Sequence, residues 1–127
     1  MPGEFTFDSG RKSTRVMVRP GIRREVPIAQ DRRTLVVVDQ SVADSFGKDV
    51  AESLQAQGVA VAVLTIEATE SAKSLETVGR ILDAALAHRV DRGGVLVSVG
   101  GGITGDLVGC AAALHLRGVE ILSLIHI

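Results

Sequence analysis

The chain has 127 residues, of which 46% are hydrophobic, 23% charged and 2% aromatic, with no Trp or Tyr and a formal net charge of −1. That composition is too apolar for disorder and long enough for one core of Ala, Val, Leu and Ile, while the lack of aromatic platforms and of a basic surplus argues against a nucleic-acid module. The single cysteine, Cys110, excludes an internal disulfide, and with no signal peptide or membrane-spanning run legible the expected location is the cytoplasm, with no membrane partner.

Residues 1–33 hold eight Lys/Arg against four Asp/Glu, so charge is uneven. Two readings of this segment stay open: a basic arm that meets phosphate, or a solvated hairpin edge on which basic side chains block aggregation. Arg15-Val16-Met17-Val18-Arg19 alternates as a strand, Glu4 to Phe7 is placed to pair with it, and Pro20-Gly21 and Pro27 punctuate the stretch between that strand and Thr34. From Thr34 the chain alternates strand and helix. Thr34 to Val38 reads as a buried parallel strand ended by Asp39 and Gln40. Ser41 reads as an N-cap, with Val42, Phe46, Val50 and Leu54 marking one helix face and Gly58 ending the helix. Val59 to Leu64 is a second strand, and Glu67 to Lys73 a loop. Leu75, Val78, Ile81, Leu82, Ala85 and Leu86 form a helical stripe. Val95 to Val99 is a third strand, Gly100-Gly101-Gly102 a turn, Thr104 to about Leu116 a helix that Arg117-Gly118 ends, and Val119 the start of a fourth strand. The predicted fold class is α/β, an open, mostly parallel doubly wound sheet of Rossmann-like type preceded by a short β-hairpin. Residues 1–33 are expected to be a β segment of the same domain as the α/β part at 34–121.

A buried strand running into three glycines and then a helix brings backbone N–H groups and a helix N-terminus to one point, which suits phosphate or pyrophosphate; the alternative is a tight turn without a ligand. Gly100, Gly102 and Gly105 satisfy G-x-G-x-x-G, yet the run follows the third strand of the alternating region where the usual dinucleotide fingerprint follows the first, so that fingerprint fails on context. Asp106 is expected in the first turn of that helix, as a dipole partner or as an acceptor for ligand hydroxyls. Asp39, closing its strand, suits a ribose diol or an Asx turn. Glu70 and Lys73 follow the second strand, as site residues or as a surface pair of little worth. Three successive strand ends thus offer candidates for one crevice. Cys110 is expected to pack within its helix, His88 to be an exposed helix end, and His115 has no partner at metal-ligand spacing.

The run Val99-Gly100-Gly101-Gly102-Ile103-Thr104-Gly105-Asp106-Leu107-Val108-Gly109, then Ala111 to Val119 with Arg117-Gly118, resembles 3-dehydroquinate synthase and the related sugar phosphate cyclases. Upstream, Glu70-Ser71-Ala72-Lys73-Ser74-Leu75 is similar to the family's Glu-x-x-Lys-[Ser/Thr]-Leu, and Asp39 matches the acid closing its first strand. The resemblance covers about residues 15–121. It implies an NAD-binding N-terminal domain followed by a helical domain that binds zinc or cobalt. Asp39, Glu70, Lys73, Gly101, Gly102, Ile103 and Asp106 would hold NAD, and Arg117 would help bind a phosphorylated sugar acid. The implied reaction, part of the shikimate pathway, cyclises 3-deoxy-D-arabino-heptulosonate 7-phosphate to 3-dehydroquinate with elimination of phosphate, and the family is commonly homodimeric. Thr69 and Cys110 depart from the family pattern, where Gly and an aromatic are common, and the family's Pro-Thr-Thr turn and its zinc ligands, a glutamate and two histidines, have no counterpart. The chain is therefore expected to be an N-terminal fragment that is inactive alone, with no catalytic or metal residues. Residues 122–127 match an in-frame translation of a transposase adapter end and are expected to be a non-native tail; the alternative is a short native strand. Other readings are a valiolone or inosose synthase, an iron-dependent or glycerol dehydrogenase-like NAD domain, which would have Lys where Gly109 stands, and a nucleotide-binding module without catalysis.

Overall fold

A computed structural model describes residues 26–125 and the backbone of residues 3–9 and 12–18. The N-terminal strands, β1 (Gly3–Ser9) and β2 (Lys12–Val18), pair antiparallel, with Glu4 opposite Met17 and Phe7 opposite Thr14. The hairpin expected from the alternation at residues 15–19 is therefore present. The Pro20-Gly21 punctuation and the side chains behind the two charge readings lie outside the described residues.

The remaining strands are β3 (Thr34–Asp39), β4 (Val61–Ile66), β5 (Val95–Gly100) and β6 (Glu120–Ile125). They form one parallel sheet in the order β4-β3-β5-β6. Parallel neighbours need crossovers, supplied by α1 (Lys48–Ala56), α2 (Leu75–Ala87) and α3 (Gly102–Leu114). Strand periodicity sorts the core onto two faces. Leu35, Val37 and Leu96 meet Val78 and Ile81 of α2 and Val108 of α3 on one face. Val36, Val38 and Val97 meet Val50 and Leu54 of α1, with Val26 and Ile28, on the other. Helices thus cover both faces, and β5 is buried along its whole length. This is the doubly wound α/β arrangement expected from the sequence.

Several details differ from the sequence reading. Ser41 does not cap α1. A 3-10 turn, Gln40–Val42, and a π-helical turn, Ala43–Gly47, precede that helix, and neither they nor α1 has a side-chain cap at its N-terminus. A strict four-residue apolar spacing drifts by about 40° per step on a helix of 3.6 residues per turn. A wider π turn absorbs part of that drift, so Val42 and Val50 are buried on one side and Phe46 packs beside them. Gly58 does end the helix: its φ of +84° takes the left-handed region, and Val59 N–H reaches Leu54 O at 3.1 Å.

Helix α2 is capped by Ser74, whose Oγ accepts from Thr77 N–H at 3.3 Å. Leu75 and Leu86, at its two ends, are exposed, so the buried stripe is narrower than the spacing suggests. α3 starts two residues earlier than expected, because Gly101 takes the extended conformation before the helix. Cys110 is exposed on α3 rather than packed. His88 is half-buried, and its Nε2 lies 3.1 Å from Ala60 O. His115 is buried, its Nε2 2.6 Å from Val90 O, in a turn where Leu116 and Arg117 both have positive φ. Residues 122–125 continue β6, with Leu122 opposite Val97 and Leu124 opposite Val99.

Candidate functional site

In an open α/β sheet ligands sit outside the carboxyl ends of the strands, where the strand order reverses. Here β3 leads outward to β4 and β5 leads outward to β6, so the reversal lies between β3 and β5. Their carboxyl ends are Asp39 and Gly100, and the two are in close contact. A Cβ on Gly100 would stand 3.1 Å from Asp39 Cβ and 2.7 Å from Thr104 Oγ1, and the backbone there has a φ of +153°. Only glycine satisfies both conditions. Gly101 and Gly102 differ: among the described residues, a Cβ on either would meet nothing within 4 Å. The protein's own packing does not require glycine there, and the space above them is open to another molecule.

α3 begins at this point. Its first bond runs from Gly105 N–H to Gly101 O at 3.1 Å, so the N–H groups of Gly102, Ile103 and Thr104 have no intrahelical acceptor, and no side chain caps them. Thr104 Oγ1 is itself buried, with no hydrogen-bond partner among the described residues.

Asp39 is half-buried and held by donors from two segments. Ser41 Oγ donates to Oδ2 at 2.7 Å, and the Ala68 N–H donates to Oδ1 at 3.2 Å. Burial pushes its pKa up, but these bonds, with help from the N–H groups of Ser41 and Gln40, outweigh burial and hold it below the ordinary value. The loop after β4 reaches α3 at its other end, where Lys73 Nζ lies 3.1 Å from Asp106 Oδ2. Asp106, and more weakly Glu70, pull the Lys73 pKa up. Asp106 is not in the first turn of α3, since that helix starts at Gly102; it pairs with Lys73 instead. Lys73 pairs across to α3, not with Glu70 as the surface-pair reading had it. Glu70 is exposed at the start of the 3-10 turn Glu70–Ala72, and Ile103 packs partly against the core.

The three strand ends therefore meet in one crevice: β3 through Asp39, β4 through the loop clipped by Asp39 and Asp106, and β5 through the glycine turn. Arg117 is not brought there. α3 runs about 20 Å along the sheet from the crevice, and Arg117 follows it at the opposite sheet edge, just before β6. A cavity of about 370 Å³, lined by Gln40, Thr65, Glu67, Thr69, Thr77 and Arg80 among others, lies beside the loop rather than at the glycine turn. Sequence reasoning missed Ser41 as a partner of Asp39, although its position two residues on is a usual spacing for such local bonds. It also missed the Ala68 N–H, which carries no side-chain signal at all.

The fold and this edge define a doubly wound α/β domain whose ligand crevice lies at the strand-order reversal. Residues 63–125 match the family model for the N-terminal domain of 3-dehydroquinate synthase. The chain is 41% identical over 129 aligned residues to a 3-dehydroquinate synthase of Desulforamulus reducens, an alignment covering 96% of this chain and 35% of that protein. A 2-epi-5-epi-valiolone synthase from Streptomyces hygroscopicus subsp. jinggangensis, solved with NAD+ and Zn2+ bound, superposes with a TM-score of 0.71 at 31% identity, over 83% of this chain and 30% of that one. A 2-deoxy-scyllo-inosose synthase solved with carbaglucose-6-phosphate, NAD+ and Co2+ shares the fold, with a TM-score of 0.86 at 24% identity, over 97% of this chain and 34% of that one. The chain belongs to the 3-dehydroquinate synthase family. It spans between about a quarter and a third of the length of the curated relatives it matches.

Proposed function

We propose that this chain is the NAD-binding domain of an enzyme that cyclises 3-deoxy-D-arabino-heptulosonate 7-phosphate to 3-dehydroquinate with loss of phosphate. The observation that carries the NAD part is the open space above Gly101 and Gly102, next to an uncapped helix N-terminus and a fixed carboxylate. These groups fit a dinucleotide. The N–H groups of Gly102 and Ile103 suit a pyrophosphate, and Asp39 suits a ribose diol. Glu70, Lys73 and Asp106 supply charge and acceptors along the loop side. When bound, NAD supplies a reversible hydride acceptor. The chain's own part is to hold that group, orient its ribose through Asp39 and keep the glycine turn open to it.

Arg117 is proposed as a contact to phosphorylated substrate, at a surface other than this crevice. The whole enzyme is proposed to be a cytoplasmic homodimer that also uses zinc or cobalt. Among the described residues no group of three His, Cys, Asp or Glu could hold a metal ion, so no step is assigned to one. No described helix is long and apolar enough to cross a membrane. The 31% identity with the valiolone synthase favours one second reading, a related sugar phosphate cyclase. The tail at 122–127 is proposed to be adapter-derived; native genomic DNA reading through those codons would refute that.

Equilibrium dialysis of the purified chain with NAD tests the central reading. The chain is expected to bind NAD, with D39N and D106N each weakening binding at least threefold. Absence of binding, or no effect of either substitution, would overturn the site assignment.

A further inference from the structure

The donors around Asp39 come from two directions. Ser41 Oγ approaches Oδ2 from the 3-10 turn after β3, and the Ala68 N–H approaches Oδ1 from the loop after β4. Free rotation about the terminal bond would otherwise leave the carboxylate plane broad. One donor on each oxygen pins it. A carboxylate has about four acceptor sites. Ser41 Oγ and the Ala68 N–H take one on each oxygen. The Ser41 and Gln40 N–H groups, which help to lower its pKa, complete no hydrogen bond to it, so a site stays open on each oxygen. The Ser41 side chain is exposed, caps no helix and contributes nothing to the core. Its hydroxyl bonds Asp39.

We propose that Ser41 is a positioning residue, whose hydroxyl fixes the plane of the Asp39 carboxylate so that its open acceptor sites meet a ribose 2′,3′-diol and exclude a 2′-phosphate. The inference rests on the dinucleotide reading above. A diol brings two donors to a carboxylate held in place. A 2′-phosphate brings negative charge against an oxygen pair that cannot swing away, because Ser41 holds one side and the β4 loop the other. Releasing the Ser41 side lets the carboxylate turn, which weakens the diol contact and relieves the repulsion together. A hydroxyl that only stabilised the turn would change affinity for both dinucleotides alike.

The test measures binding of NAD and of its 2′-phosphorylated form, NADP, to the wild-type chain, S41A, S41T and the D39N and S41A/D39N pair. Carboxyl-carbon NMR follows the titration of Asp39 in the ligand-free proteins. S41A is expected to weaken NAD three- to tenfold, to narrow the preference for NAD over NADP by a similar factor, and to raise the Asp39 pKa. S41T should restore all three. S41A should have no further effect in the D39N background. Equal weakening of NAD and NADP by S41A, with Asp39 titrating as before, would overturn the positioning role while leaving the dinucleotide site intact. A wild-type chain that binds neither dinucleotide would overturn the dinucleotide reading, and the specificity role with it.

Discussion

Thr104 and Asp39 show opposite treatments of a polar group at the same edge. Thr104 is fully buried with its hydroxyl unpartnered among the described residues, which costs about 1–3 kcal/mol relative to a satisfied group. Valine keeps the shape and the β-branching, so T104V is expected to raise stability by about 1 kcal/mol. The midpoint of urea unfolding reads this directly; a loss of stability would mean the hydroxyl has a partner. Asp39 has more donors than its half-buried position requires, and its pKa is lowered from 3.8. A carboxylate with a depressed folded-state pKa favours folding fully above its unfolded value, and that contribution fades as pH falls through the folded value. D39N should therefore lower stability near neutral pH and flatten the acid limb below about pH 4. Unfolding curves of both proteins between pH 2 and 7 check this, and parallel acid limbs would contradict it.

At the scale of elements, the segments at the two sheet edges are tied by different means. At the crevice the tie between the β4 loop and α3 is the exposed Lys73–Asp106 pair, with side chains 40% and 66% exposed. Such a pair contributes little, so D106N should weaken ligand binding without a comparable loss of stability. At the opposite edge Arg32 makes a clamp: Nε donates to Gly93 O at 2.7 Å, and Nη2 donates to Gly94 O at 3.2 Å and to Glu120 Oε2 at 2.7 Å. One side chain thereby fixes the turn before β5 and the first residue of β6. R32M is expected to cost about 1–2 kcal/mol, and R32K to recover little of it, because an ammonium lacks the planar fork. Thermal unfolding of the two variants distinguishes them. The strands, the three helices and the left-handed Gly58 were legible because each rests on local periodicity or backbone conformation. The start of α1 was not. Ser41 has the chemistry of a cap, but its hydroxyl is used by Asp39 two residues earlier, and nothing in a linear reading ranks one acceptor above another.

For the molecule as a whole, β5 is the pivot. Leu96 faces α2 and α3, Val97 faces the α1 side, and both are fully buried. L96A is expected to destabilise by about 2–5 kcal/mol, read from equilibrium unfolding. A smaller cost would mean that the face of β5 toward α2 and α3 collapses around the gap. The dinucleotide fingerprint failed on sequence context because it belongs after the first strand of its unit, and these glycines follow the third strand of the alternating region. The strand order β4-β3-β5-β6 sets β3 beside β5, so the acid beside the glycine turn is Asp39, upstream. The α/β class, the hairpin, the helix-and-strand order, the glycine turn and the family resemblance were determined by the sequence alone, since each depends on residues near one another in the chain. Tertiary structure decided which strand ends share a crevice, that Lys73 pairs with Asp106 rather than Glu70, that Arg117 lies at the far edge, and that Ser41 serves Asp39. Those facts depend on strand order and on which of several donors reaches an acceptor first, and chain spacing carries neither.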